Sequence, residues 1–489
     1  MVAQARVTVR NAGWLVAQRG VHVVCGIVFA VVVPRLMGPT TYGQYALLAS
    51  LAAWFVLLGT LGFAQIMGRF VPQFISHGSQ ADLRKFLGDL LTVRLFSGSI
   101  VAALYLLVMV LWLREIDWVL VALLAGSVLA RGITFYLFSI FLGINQAARW
   151  ASEQVLQRWI LLIFLPLGFL LGGLRGACTG LLLTDLVMLV LGWWWSKSYL
   201  AWSGLDVNVR SLVPYLRFGL IFFGTNLLTT AVQRSGEPLV RSVSGDYAQV
   251  GYYGASFSVY LAAALAVSQF TLAFAPLLTT LRTQDRLQSL RAWIERLLKL
   301  FAVVGVLAVF GAFLLRDDIV PLVFGSAYRS MSANLVPLAL TLLPLGLGSV
   351  AGVIALTYDQ PGATLKAAAI QLATLWGLGI PLVAWHKSLG ACVAVLIAAS
   401  LYAAYLAWRM WNVLQFPIRK WAWAIGLGMS LSPLILLKST WAVNVALYVA
   451  LASGYVGALL ALRVVTPDEI AAAWRALKRD STTETAIEE

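Results

Sequence analysis

Charge is what this sequence has least of. Asp, Glu, Lys and Arg make up only 11% of its 489 residues, against about 25% in an ordinary soluble domain. A water-solvated globule of this size is therefore excluded. Cysteine is nearly absent as well. The 3 that occur, Cys25, Cys178 and Cys392, lie in apolar runs with no CxxC or metal-ligand spacing. That rules out a disulfide framework or a zinc site and leaves three small buried hydrophobes. No Asp-x-Asp pair, His-rich segment, phosphate-cradling Gly-rich loop or ATP-binding motif occurs, and no loop approaches domain size. A membrane-embedded glycosyl transferase or polymerase would need such parts, so no catalytic residue, metal or cofactor is expected. The net charge of +15 is spread over many short segments and builds no nucleic-acid-reading motif. Anionic headgroups and an anionic substrate are the better partners, and nucleic acid is not one.

What fills the chain instead is hydrocarbon. Apolar residues reach 61%, with 19 Trp and 16 Tyr to settle at membrane–water boundaries. About fourteen runs are long enough, at about 20 residues each, to cross a bilayer as helices. They are continuous rather than alternating, which favours helices over a barrel. The expected fold is an all-α polytopic membrane protein. The first run, Gly13 to Val33, is too long for a signal core and is expected to remain as a helix. With the N-terminus in the cytoplasm, most Lys and Arg, Arg158 among them, fall on the cytoplasmic side, and both termini face it. Arg19, Arg94 and Arg131 fall within runs instead. The segment "TPDEIAAAWRALKR" at 466–479 carries a capping box and reads as a short cytoplasmic helix. The basic stretch "RLQSLRAWIERLLK" is amphipathic and is expected on the cytoplasmic surface.

The chain also repeats itself. Tyr42-Gly43-Gln44-Tyr45 falls on Val250-Gly251-Tyr252-Tyr253, "FVPQF" on "FAPLL", and "QADLRKF" on "LQSLRAW", in the same order. Six runs separate equivalent points, so both copies enter from one side, a parallel repeat. The expected organisation is two pseudo-symmetric six-helix lobes, residues 1–205 and 206–415, followed by two extra helices over 416–463 and a tail over 464–489. Each lobe opens with a helical hairpin, and the phrases at 35–54, with a Gly-Pro turn and a Tyr-Gly pair, and at 243–263 read as its far-side turn, with glycine supplying unusual backbone angles.

Arg35-Leu36-Met37-Gly38-Pro39-Thr40-Thr41-Tyr42-Gly43-Gln44-Tyr45 resembles the opening pattern of the Wzx-type polysaccharide transporters, flippases of the multidrug/oligosaccharidyl-lipid/polysaccharide superfamily. Met37 replaces the usual Leu. "GEPLVRSVSGDYAQVGYYGASFSV", "PLVFGSAYRSMSANLVPLAL" and "LTYDQPGATLKAAAIQLA" resemble later segments of that family, so the likeness covers most of residues 5–415. It implies a non-enzymatic flippase of a bacterial inner membrane, acting by alternating access. The implied cargo is a polyprenyl-pyrophosphate-linked oligosaccharide for cell-surface polysaccharide such as O-antigen or exopolysaccharide. Glycan polymerases and glycosyltransferases are the implied partners of a monomeric protein. The alternative within the superfamily is an ion-coupled drug/cation antiporter.

Ionisable residues inside membrane runs are the candidate site. Arg131 sits centrally in the fourth run, suited to a substrate anion or to an internal pair with Asp185. Arg19 and His22 share a face of the first helix, where Arg19 could instead snorkel to the surface. Arg234, Glu237 and Arg241 recur at helical spacing in the seventh, either lining a cavity or forming a solvated group. Asn226 and Gln233 offer hydrogen bonds to sugar hydroxyls, and Asp185 and Glu237 are candidates for ion pairing or coupling.

Overall fold

The computed structural model describes residues 2–76, 80–113, 115–201, 209–414, 418–462 and 464. The side chains of residues 2–19, 22, 23, 209, 221, 222, 225, 412–414 and 436 are not described. The tail helix expected over 466–479 lies outside the described residues, as do the side chains of Arg19 and His22.

Every element among the described residues is helical. In chain order these are α1 (Val2–Leu58), α2 (Phe63–Ser76), α3 (Gln80–Trp112), α4 (Trp118–Gly143), α5 (Ala147–Ser196), α6 (Val209–Arg234) and α7 (Gly236–Ser244). There follow α8 (Tyr247–Ala273), α9 (Ala275–Thr283), α10 (Leu287–Phe324), α11 (Leu335–Thr357), α12 (Pro361–Leu414), α13 (Arg419–Leu431) and α14 (Trp441–Ala461). Nine helical segments of the described residues are long and apolar enough to cross a membrane. The longest cannot be single crossings. The 50 residues of α5 would reach about 75 Å at about 1.5 Å each, more than twice the roughly 30 Å hydrocarbon core. Backbone breaks resolve this, at Gly38 in α1, Gly172–Gly173 in α5 and Lys387 in α12. With α6–α7 and α13 added, the arrangement is consistent with the fourteen runs of the sequence.

The exterior is apolar. Leu171 is 88% exposed and Trp385 76%, which only a lipid surround accommodates so widely. The chain divides into two compact units, one comprising Met1–Ala262 with Val383–Ser388, the other Ala263–Leu382 with Leu389–Glu489. In the first, Phe63, Met67, Leu87, Tyr136 and Leu137 centre a core joining α2, α3 and α4. The Tyr136 hydroxyl donates to the Leu87 carbonyl at 2.6 Å. In the second, Leu290, Ile294 and Leu298 of α10 pack against Val350 and Ile354 of α11 and Ala403 and Leu406 of α12. The amphipathic stretch expected on the cytoplasmic surface is thus the first part of α10, and its apolar face is buried in protein.

Each repeat phrase, over 35–54 and 243–263, opens on a glycine turn and continues as helix. Gly38 (φ 72°) breaks α1, and Gly245 (φ 69°) ends α7. Gly43 and Gly251 are helical, and what each supplies is space. A Cβ on Gly43 would meet the Tyr247 carbonyl oxygen, and one on Gly251 would meet the Pro39 carbonyl oxygen. Repeat-equivalent glycines therefore let the second limb of α1 touch the start of α8, main chain to main chain.

Candidate functional site

The first unit gathers its buried charge around the hairpin of α5. Gly173 (φ 56°) turns the chain back on itself. Beyond the turn the limbs close tightly: a Cβ on Gly168 would meet the Gly176 carbonyl oxygen, and one on Gly176 the Gly168 carbonyl oxygen. Residues equally far from the turn then face each other. Gln157 on the first limb and Asp185 on the second do so, and Gln157 Nε2 donates to Asp185 Oδ1 at 3.3 Å. From α4, Ser127 and Arg131 are one helical turn apart and point the same way. The Ser127 hydroxyl donates to Asp185 Oδ2, and Arg131 Nη1 lies 3.5 Å from Oδ1. Asp185 is thereby held by three donors, with its side chain 2% exposed while that of Arg131 is 39% exposed. The carboxylate is interior, and the guanidinium reaches the edge of the group.

Two members of this group went unrecognised in the sequence. Glu153 lies one turn before Gln157 and is buried. The Arg131 and Arg158 guanidiniums and the Asp185 carboxylate are within electrostatic reach of it. Arg158, grouped by sequence with the cytoplasmic loops, is the twelfth residue of α5, about 16 Å along its axis at about 1.5 Å per residue. The signal that could have found Glu153, and with it the helix that carries Arg158, is spacing. Glu153, Gln157 and Leu161 follow the i, i+4, i+8 rule of one helix face, so the polar stretch continues the membrane helix instead of preceding it.

Arg158 in turn feels Arg131, Arg234 and Tyr45. Tyr42 and Tyr45, from the repeat phrase in α1, are both buried. Arg234 lies at the last position of α6, where the seventh run breaks at Ser235. Its carbonyl accepts from the Trp54 indole at 3.1 Å, which fastens the break to α1. Glu237, in the first turn of α7, is buried with Oε2 lacking a hydrogen-bond partner, and Arg234 is its nearby charge. Among the described residues neither the Arg158 nor the Arg234 guanidinium has a hydrogen-bond or ion-pair partner. The result is three arginines, from α4, α5 and α6, with Arg131 and Arg234 each within electrostatic reach of Arg158, and Arg158 and Arg234 uncommitted among the described residues.

The remaining candidates sit elsewhere. Arg241 lies in the last turn of α7, 3.1 Å from Glu115 and 4.0 Å above the Tyr247 ring, with the Gly245 carbonyl as a further acceptor. Asn226 and Gln233 lie on α6 with exposed side chains. Arg94 of α3 is buried and donates from Nε to the Gly132 carbonyl at 2.9 Å, with Nη1 unpartnered. In the loop before α4, Asp117 caps Val119 N at 3.1 Å and pairs with Arg175. That backbone hydrogen bond, with Arg175, holds the Asp117 carboxyl below the usual carboxylate range. Among the described residues no cluster of His, Cys, Asp and Glu is suited to hold a metal ion.

The sequence profile of a family described as polysaccharide biosynthesis protein matches residues 8–282, more than half of the chain. A comparison with curated proteins finds no match. The fold is similar to that of lipid II flippase MurJ in an inward closed conformation, with TM-score 0.69 and 15% identity over 94% of this chain and 100% of that one. It is also similar to the inward-facing conformation of a multidrug resistance MATE family transporter of the MOP superfamily, with TM-score 0.65 and 14% identity over 81% of this chain and 95% of that one. At such identities the likeness is one of fold.

Proposed function

The chain belongs to the polysaccharide biosynthesis protein family, and on that premise we propose that it is a Wzx-type flippase. Its cargo is a polyprenyl-pyrophosphate-linked oligosaccharide, moved from the cytoplasmic to the outer leaflet of a bacterial inner membrane by alternating access, with both termini cytoplasmic. The observation that carries this reading is the group of Arg131, Arg158 and Arg234 in the first unit, two of them without a hydrogen-bond or ion-pair partner among the described residues. Charge in hydrocarbon is costly, so a pyrophosphate needs a polar route. Planar guanidiniums match phosphate oxygens with paired hydrogen bonds. The polyprenyl tail needs no such provision, because the exposed apolar exterior implies that lipid surrounds the protein. Tyr42, Tyr45, Gln157 and Ser127 supply neutral polar groups around the arginines. Glycosyltransferases and a glycan polymerase are the partners that would make and consume the cargo.

Reconstitution into proteoliposomes with a short-chain polyprenyl-pyrophosphate-linked sugar tests this. The protein should expose the sugar to a membrane-impermeant reagent added on the opposite side, and Arg158→Gln should slow the exposure at least tenfold. Equal rates with and without protein would refute the reading.

A drug/cation antiporter is the second reading. The three buried carboxylates Glu153, Asp185 and Glu237 favour it. Uptake of a fluorescent organic cation by the same vesicles, with no effect on the lipid-linked sugar, would select it.

A further inference from the structure

The contact between Arg131 and Asp185 divides the guanidinium into a held side and a free side. Nη1 lies 3.5 Å from Asp185 Oδ1. Among the described residues Nε and Nη2 have no hydrogen-bond or ion-pair partner. The carboxylate that holds Nη1 is itself fixed. Gln157 Nε2 donates to the same Oδ1 at 3.3 Å, and the Ser127 hydroxyl donates to Oδ2. Ser127 lies one turn before Arg131 on α4, so anchor and arginine share one rigid element. The backbone beside Arg131 is fixed as well. The Gly132 carbonyl accepts from Arg94 Nε at 2.9 Å, and a Cβ on Gly132 would meet Arg94 Nη2. A long side chain with much rotamer freedom is thus restrained at its root and at its tip.

We propose that Asp185 is the positioning residue of the anion site: it takes up Arg131 Nη1 and so presents the opposite edge of the guanidinium, Nε with Nη2, to two oxygens of one phosphate group. The two N–H groups of that edge run parallel and suit paired phosphate oxygens. This deepens the flippase reading and rests on it. Asp185 acts on the cargo only through Arg131. Burial supports that division, since the Asp185 side chain is 2% exposed and that of Arg131 39%. A headgroup can reach the guanidinium without reaching the carboxylate.

Two simpler roles for the carboxylate lead to different behaviour. A mere counter-charge opposes an incoming anion, so removing it would tighten binding whatever replaced it. A mere structural tie would affect folding and leave the affinity of the folded site alone. Positioning needs an acceptor oxygen at the place of Oδ1. Asn supplies one there and Ala does not. Holding one rotamer-rich side chain in advance is worth up to about tenfold in affinity.

The test uses the full chain in lipid nanodiscs, with a C20 isoprenyl pyrophosphate as probe and calorimetry to measure its affinity. Asp185→Ala should weaken binding by about tenfold, and Asp185→Asn should restore most of the loss. In an Arg131→Lys background no planar edge remains to be presented, and Asp185→Ala should cost little more. Binding by Asp185→Ala as tight as the wild type or tighter would overturn the proposal and leave the flippase reading intact. An equal loss in both backgrounds would do the same. Failure of the wild type to bind the probe at all would overturn both. Nitrogen NMR of arginine-labelled protein reads the restraint without any change at Asp185. The Arg131 signals, assigned by their loss in Arg131→Lys, should show separate Nη resonances before the probe is added, because a held Nη1 stops rotation about the Nε–Cζ bond. A single averaged Nη resonance would overturn the proposal even if Asp185→Ala does not fold.

Discussion

Replacing Asp185 with Asn is the sharpest probe of how the buried polar group is held. Asn keeps the size and removes the charge. The Asn oxygen would accept from Gln157 Nε2 while its amide NH2 faced the Ser127 hydroxyl, which would then accept instead of donate, so both contacts become neutral hydrogen bonds. A hydrogen bond to a charged group contributes about 1.5–3 kcal/mol and one between neutral groups about 0.5–1.5, so roughly 1 kcal/mol is lost at each contact. The Arg131 pair adds little. Its separation is 3.5 Å and the Arg131 side chain is 39% exposed, a geometry worth about 0–1 kcal/mol after solvent screening. Against these losses stands the desolvation of the carboxylate, which Asn avoids and which offsets part of them. Hydrogen bonds measured inside membrane proteins average only about 0.6 kcal/mol. The expected net loss is therefore about 1–2 kcal/mol. Reversible unfolding in mixed micelles should show it, with Ser127→Ala losing about half as much and the double variant losing less than the sum of the two, because both remove the same hydrogen bond. If Asp185→Asn were as stable as the wild type, and strict additivity held with Ser127→Ala, the three-donor arrangement would be refuted.

Two further outcomes follow from other parts of the structure. Gly43→Ala and Gly251→Ala each place a methyl group against a carbonyl oxygen of the facing segment, Tyr247 and Pro39 respectively. Each should destabilise by about 1–3 kcal/mol in the same unfolding assay, whereas Gly454→Ala, with nothing near its Cβ position, should not. Asp117 has its carboxyl lowered in the folded state by the Val119 N–H and Arg175. Its contribution to stability is thus present above the unfolded Asp range and lost as pH falls through the lower folded value. Carbon NMR of labelled Asp should find its titration below that of free Asp, and Arg175→Gln should move it up.

The membrane character and the helix-rich fold were legible because apolar length is read directly against bilayer thickness. Hairpins were harder. The α5 turn was legible as the gap between runs centred near Leu165 and Val187, with Arg175 in it, but the residues that make it, Gly172 and Gly173, were not. The repeat was legible as an order of motifs with a glycine turn in each phrase, but the second job of its glycines, close approach, was not. In a sequence, a glycine that permits positive φ and a glycine that permits close approach look the same. Gly38 and Gly245 do the first, Gly43 and Gly251 the second. Within the candidate site Arg131 was visible because it stands alone among apolar neighbours. Glu153 and Arg158 were hidden by a polar stretch, "RWASEQVLQRW", that has the composition of a loop and the periodicity of a helix. Arg241 was grouped with Arg234 by spacing along one helix, and the break at Ser235 sends them to separate surroundings.

The crossing of Gly43 and Gly251 also bears on which sequence changes such a chain can absorb. Where helices meet through side chains, a larger residue at one position is often accommodated by a new rotamer at another. Here only peptide groups meet, and a peptide group has no rotamer to offer. No second-site change in a neighbouring side chain can rescue a bulky substitution at either glycine, so suppressors should map to the bends at Gly38 and Gly245, which set how closely the two segments approach.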